Sequence, residues 1–100
     1  LDGIPQDRPV YVTIDADGID PTEMPGVMAP APGGLRYEQV APLLRAIASR
    51  QRIVGFDVVE IAPQYDAPNA ITCITAGRLI VTTLGASWRP GGALHSRRAA

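Results

Sequence analysis

The sequence predicts an α/β fold built around a parallel sheet, and three observations carry this prediction. Two apolar runs rich in β-branched residues occupy residues 10–14 and 53–61, a composition typical of strands that are covered on both faces. An amphipathic helix is predicted between these runs, and a second apolar helix follows them. The order strand, helix, strand, helix with a right-handed crossover makes the two strands parallel neighbours.

The first strand, Val10 to Ile14, is followed by a long connection. Residues 15–34 contain four prolines and four glycines, which interrupt both helices and strands. Connections of this length are uncommon in compact domains and are usually functional or disordered. The proline content favours a stiff, functional loop.

An apolar stripe at helical spacing predicts the first helix, which we expect to begin between Tyr37 and Val40. The stripe consists of Val40, Leu43, Leu44 and Ile47. Arg36 occupies the position of an N-cap three residues before Gln39, where Ser or Thr is usual. The second strand is expected to end at Pro63.

The second helix is predicted to begin at Thr72, as its N-cap, and to stop at Gly85. Two parallel strands do not form a stable sheet alone. We therefore expect residues 1–84 to be the C-terminal part of a single larger domain and residues 85–100 to be a disordered tail.

Composition and charge exclude several classes of function. Apolar residues make up 46% of the chain, and nine arginines are balanced by ten acids for a net charge of −1, so no basic surface for nucleic acid or an anionic membrane is expected. The apolar runs are too short for a membrane-spanning helix, and no signal peptide begins the chain. The single cysteine, Cys73, excludes an internal disulfide. A cytoplasmic protein is expected.

Two carboxylates, Asp15 and Asp17, lie two residues apart where the first strand ends. In an extended chain they share one face, and a hard cation such as Mg²⁺, Mn²⁺ or Ca²⁺ would relieve their repulsion. The alternative is turn chemistry, in which Asp side chains hold backbone amides. A calcium loop of the EF-hand type does not fit, because position 12 is Gly26 when the loop begins at Asp15 and Met24 when it begins at Thr13, whereas an EF-hand requires Glu there.

Several spaced motifs together resemble the ureohydrolases, the arginase and agmatinase family. The motifs are Asp15-Ala16-Asp17, Asp20-Pro21, Pro25-Gly26, Pro30, Pro32-Gly33-Gly34-Leu35 and the run from Gly55 to Pro63. The resemblance implies a three-layer α/β/α sandwich with a parallel sheet. It also implies a pair of Mn²⁺ ions whose bridging hydroxide attacks a guanidinium carbon and releases urea.

The same resemblance assigns ligands. Asp15 would bridge both manganese ions and Asp17 would bind one, while the remaining ligands come from His- and Asp-bearing motifs expected upstream of this sequence. His95, the only histidine, lies in the predicted tail and is interpreted as a solvated residue. The family is usually homo-oligomeric.

Glu60 lies where the second strand ends, and a carboxylate there can pair bidentately with a planar guanidinium. By resemblance it matches the guanidinium-binding glutamate of the family, and the alternative is an ion pair with an arginine such as Arg78. Asp57 is expected to be a buried, hydrogen-bonded structural acid, and Asp20 a turn residue. Cys73 is expected to be packed among apolar neighbours.

The run from Glu60 to Asp66 is closer to the agmatinase branch than to arginases. Residues 27–29, Val-Met-Ala, depart from the Thr-Gly-Thr often found there, which leaves the choice of guanidino substrate open. The function expected is that of part of a hydrolase that cleaves agmatine or a similar compound to an amine and urea. The alternative is a non-catalytic remnant that retains the fold for an interaction role.

Overall fold

The computed structural model describes residues 1–88, which form two strands and two helices in the predicted order. Residues 89–100, including His95 and most of the predicted tail, lie outside the described residues. The elements are β1 (Val10–Asp15), α1 (Tyr37–Arg50), β2 (Ile53–Val59) and α2 (Ile71–Trp88), with short 3-10 turns at Ala16–Gly18 and Pro63–Tyr65.

The two strands are parallel, as predicted, and pair from Val10 opposite Ile53 to Asp15 opposite Val59, with one register shift between Val10 and Tyr11, where the pairing passes over Val54. One face of the sheet packs on the helices through alternate side chains that include Val12 and Ile14. On the other face Tyr11 is 60% exposed. Within residues 1–88 the sheet is therefore covered on one side only, whereas the apolar strands predict cover on both.

The core lies between this covered face, the two helices and the long connection after β1. Its buried members include Ile14, Met24, Val40, Leu44 and Leu79. Met24 is fully buried although it belongs to a loop, because the loop folds back over the helices. This part of the loop is thus packed against the domain.

Helix α1 begins at Tyr37, within the predicted interval. The Arg36 side chain makes no cap hydrogen bond; the Gln39 side chain instead accepts from the Arg36 N–H at 2.9 Å, and both Glu23 carboxylate oxygens accept from the Tyr37 N–H at 3.1 Å. A carboxylate at this end also complements the helix dipole. The acid that caps the helix comes from the loop, fourteen residues upstream.

Helix α2 differs from its prediction at both ends. Thr72 is not the N-cap, since it is helical and fully buried, and the helix continues through Gly85 to Trp88 with Ala86 and Ser87 buried. The tail therefore cannot begin before residue 89. By length and composition alone α2 could cross a membrane, but this is weak evidence because core helices of soluble proteins share these properties, and α2 packs against α1.

Candidate active site

The carboxyl ends of β1 and β2 lie side by side and carry the candidate residues. Asp15, the last residue of β1, pairs with Val59, the last residue of β2, so Glu60 directly follows the partner of Asp15. Neighbouring strands in a sheet lie about 4.8 Å apart. The topology thus brings the aspartate pair and Glu60 to the same edge of the sheet, as the sequence predicted.

The two aspartates adopt a tight local arrangement. Asp15 Oδ1 accepts from the Asp17 N–H at 2.9 Å and thereby caps the 3-10 turn Ala16–Gly18. For this one oxygen, the alternative interpretation, in which an Asp side chain holds a backbone amide in a turn, is therefore correct. Ala16 is fully buried between the two acids, which leaves Asp15 exposed and Asp17 half-buried.

The donor chemistry of this pair fits a hard cation. Asp17 Oδ1 is buried and has no hydrogen-bond partner among residues 1–88, and a buried carboxylate oxygen is costly unless a cation or donor satisfies it. Mn²⁺ and Mg²⁺ favour six ligand atoms, most of them oxygen. No cluster of three or more His, Cys, Asp or Glu residues exists within the described part of the chain, so it offers two ligands and not a complete site.

Glu60 has an unusual backbone conformation. Its φ of 69° lies in the left-handed region, which non-glycine residues seldom adopt unless the surrounding structure imposes it. Its side chain is exposed and makes no ion pair or hydrogen bond within residues 1–88, so the pairing with Arg78 is not observed. The Glu60 carboxylate is free to bind a ligand.

Asp57 lies on the uncovered face of the sheet and is half-buried. Its Oδ2 accepts from the Tyr11 hydroxyl at 2.9 Å, so the predicted hydrogen bond is present. The side chain is not fully buried as expected, because this face of the sheet is uncovered within residues 1–88. The same hydrogen bond raises the pKa of Tyr11. The contact joins β1 to β2 through side chains as well as through the backbone ladder.

The loop after β1 is closed at its base. The Asp20 carboxylate accepts from the Thr22 hydroxyl at 2.6 Å and from the N–H groups of Thr22 and Gly33, and these bonds, the hydroxyl first, lower the pKa of Asp20. A Cβ at Gly34 would lie 2.7 Å from the Gly18 carbonyl oxygen, so only glycine allows the two ends to approach. Asp20 is a turn residue, as predicted.

Asp66 is a functional candidate that the sequence reasoning missed. Its carboxylate accepts from the N–H groups of Ala67 (2.8 Å), Thr72 (3.1 Å) and Cys73 (3.2 Å) and so caps α2 from outside the helix. Partial desolvation raises the pKa of Asp66, but hydrogen bonds from the Thr72 side chain and from these amides outweigh it and lower the pKa to about 2. An acid a few residues before an apolar helix was the available signal.

Asp66 should make stability depend on pH in acid. Because its pKa falls from 3.8 unfolded to about 2 folded, its contribution to the free energy of unfolding is present above the unfolded value and is lost as pH falls through the folded one. In the full-length protein we expect Asp66→Asn to lower Tm at neutral pH. The difference in Tm between this variant and the wild type should become smaller as pH falls to about 2. Thermal unfolding followed by circular dichroism checks this. Asp7→Asn, at an exposed residue, is the control, and a pH-independent gap for Asp66→Asn would contradict the assignment.

Cys73 is less enclosed than the sequence suggested, and Met28 is also exposed. Cys73 is exposed and not packed, and desolvation together with a hydrogen bond to Asp66 raises the pKa of its thiol. Met28 is 68% exposed, so it does not pack in the loop as Met24 does.

Comparison with known proteins gives a consistent result. The Arginase family matches residues 1–85. The agmatinase of Chromobacterium violaceum is 47% identical over 73 residues, which are 73% of this chain and 22% of that protein. The proclavaminate amidinohydrolase of Streptomyces clavuligerus is 49% identical over 69 residues, which are 69% of this chain and 21% of that protein.

Solved structures agree with the sequence relatives. A hypothetical agmatinase from Burkholderia thailandensis superposes with a TM-score of 0.77 at 35% identity, covering 85% of this chain and 26% of that one. Arginase from Bacillus subtilis gives a TM-score of 0.71 at 32% identity, covering 76% and 27%. This chain thus spans about a quarter of the length of these proteins. The predicted arginase-like α/β fold and agmatinase-like character are confirmed, and the chain belongs to the arginase family.

Proposed function

We propose that this chain is the C-terminal part of a dimanganese ureohydrolase that cleaves agmatine or a related guanidino compound to an amine and urea. The observation that carries the proposal is the placement of Asp15, Asp17 and Glu60 at one edge of the sheet. Relatives named agmatinase, proclavaminate amidinohydrolase and N(1)-aminopropylagmatine ureohydrolase support a guanidino substrate.

Asp15 and Asp17 would be manganese ligands. The Asp15 oxygen that is not engaged by the Asp17 amide, together with the exposed position of the side chain, suits a bridging role. The unpartnered, buried Asp17 Oδ1 suits a ligand of one ion. The chemistry supplied by two bound ions is activation of water near neutral pH and neutralisation of developing negative charge.

Glu60 would bind the guanidinium of the substrate. A carboxylate can accept two parallel N–H donors from this planar cation, which fixes the orientation of the group as well as its charge. The Glu60 side chain has no partner of its own within residues 1–88, and its backbone is held in the left-handed region at the strand end. Glu60 would therefore present the guanidinium carbon to the edge at which Asp15 and Asp17 lie.

The direct test is urea release by the full-length gene product that contains this sequence. Loaded with Mn²⁺, it should release urea from agmatine and lose this activity on chelation, which is restored when Mn²⁺ is returned. The upstream coding sequence should contain the His- and Asp-bearing ligand motifs. A fully metal-loaded protein that releases no urea from agmatine, arginine or other guanidino compounds would contradict the proposal and favour a non-catalytic role.

The 100-residue chain produced alone should release no urea from agmatine or arginine with Mn²⁺ added. The two carboxylates at the strand ends cannot supply all the ligands of two ions, and within residues 1–88 one face of the sheet is uncovered. A colorimetric urea assay beside an intact agmatinase as the positive control checks this. Manganese-dependent urea release by the isolated chain would show that these two ligands suffice. It would contradict the proposal that the other manganese ligands lie outside this sequence.

A further inference from the structure

Gly26 connects three segments of the chain through its backbone. Its N–H donates to the buried Thr72 hydroxyl in α2 at 2.7 Å, and its carbonyl oxygen accepts from the Ala62 N–H at 2.7 Å. The long loop after β1 is thereby joined both to the first turn of α2 and to the segment that leaves β2. Ala62 lies only two residues after Glu60.

This junction has little freedom to shift. A Cβ on Gly26 would lie 2.9 Å from the Asp66 Cβ and 3.0 Å from the Thr72 hydroxyl oxygen. Thr72 is fully buried. Asp66 holds the amides of Thr72 and Cys73, so the helix turn that carries the Thr72 hydroxyl is itself fixed. Asp66, Thr72 and Gly26 form one connected unit.

The same unit restrains Glu60. On one side of Glu60, Val59 is held in the β ladder opposite Asp15; on the other side, Ala62 is held by Gly26. The exposed Glu60 side chain makes no hydrogen bond or ion pair within residues 1–88 that would define its direction. Its left-handed backbone lies between these two anchors, and such a conformation persists only where the surrounding structure holds it.

We propose that Thr72 and Asp66 are positioning residues that, through Gly26 and Ala62, hold Glu60 in the orientation that binds the guanidinium. The inference rests on the proposed function of Glu60. It adds a specific route by which a buried hydroxyl on α2 controls a carboxylate at the end of β2. Neither residue touches the substrate in this scheme.

The test uses three variants of the manganese-loaded, full-length protein. Thr72→Val keeps the side-chain shape but removes the hydroxyl that accepts from Gly26, and we expect KM for agmatine to rise about 10- to 100-fold with manganese content unchanged. Thr72→Ser keeps the hydroxyl and should restore most of the affinity. Thr83→Val is the matched control, because Thr83 is also buried in α2 but within residues 1–88 its hydroxyl donates only to the Leu79 carbonyl oxygen of the same helix, at 2.8 Å.

A purely structural role for Thr72 would lower the fraction of active protein without raising KM. An unchanged KM in Thr72→Val, or an equal rise in Thr83→Val, would overturn the proposal. Hydrogen exchange gives a readout that needs no activity: amides in residues 58–66 should exchange faster in Thr72→Val but not in Thr83→Val. If wild-type protein releases no urea, the proposed function fails, whereas unchanged exchange in Thr72→Val refutes the positioning network itself.

Discussion

Glu60→Gln in the full-length protein is expected to remove most of the ureohydrolase activity and to leave manganese content and Tm unchanged. The substitution keeps the size of the side chain and one acceptor oxygen but removes the charge that pairs with the guanidinium. Charge-assisted hydrogen bonds contribute about 1.5–3 kcal/mol, and an unpaired guanidinium adds a desolvation penalty, so kcat/KM should fall at least ~100-fold. Steady-state urea release, metal analysis and thermal unfolding of the same preparation measure activity, manganese content and Tm.

Glu38→Gln is the matched control for this experiment. Glu38 is an exposed glutamate on α1 whose carboxylate lies 3.4 Å from the Arg36 guanidinium, and exposed pairs of this kind contribute little. It should leave activity unchanged. Loss of manganese in Glu60→Gln would identify Glu60 as a ligand or its support, and near-full activity would remove it from the substrate site.

Asp15→Asn should weaken manganese binding more than Asp17→Asn, because a bridging ligand serves both ions. The asparagine oxygen can still accept from the Asp17 amide, so the 3-10 turn survives and the loss reports on the metal rather than on the fold. Substitution of residues that merely support ligands costs about 10- to 100-fold in metal affinity, and a bridging ligand should cost more.

Metal content per chain after dialysis measures the effect of both substitutions. Asp20→Asn is the control, since Asp20 shapes the same loop through Thr22 and Gly33 but lies outside the pair. Full occupancy in both Asp15→Asn and Asp17→Asn would exclude these two residues as ligands. A greater loss of manganese in Asp17→Asn than in Asp15→Asn would assign the bridging role to Asp17 instead of Asp15.

Much of the fold could be predicted from local patterns. The β-branched runs placed both strands, and the stripe from Val40 to Ile47 placed α1, because burial of one apolar face depends mainly on residues close in sequence. The ends of α2 could not be found in this way. Its cap, Asp66, reaches the helix across a turn, and Gly85 does not stop it because packing of Ala86 and Ser87 outweighs the local preference of glycine.

The candidate site was likewise predictable only where it depends on local sequence patterns. The sequence predicted that Asp15, Asp17 and Glu60 lie at one edge of the sheet, because ligands bind at strand ends in parallel sheets and adjacent strands place those ends together. The Gly26 junction was not found, since it joins residues 46 positions apart in the chain through one buried hydroxyl. The left-handed backbone of Glu60 could not be predicted from the sequence either, because glutamate seldom adopts this conformation without tertiary restraint.

The two-stranded sheet leaves one backbone edge of β1 and one of β2 without a strand partner in residues 1–88. Bare edges of this kind pair readily with other extended chains. Ribosomes add about 5–20 residues per second. Roughly 2 to 9 seconds therefore pass between the synthesis of Val10 and that of its partner Ile53. In a longer protein that contains this sequence, strands already folded from other segments would pair with each edge as it appears, which would shorten the time during which the edge can misassemble.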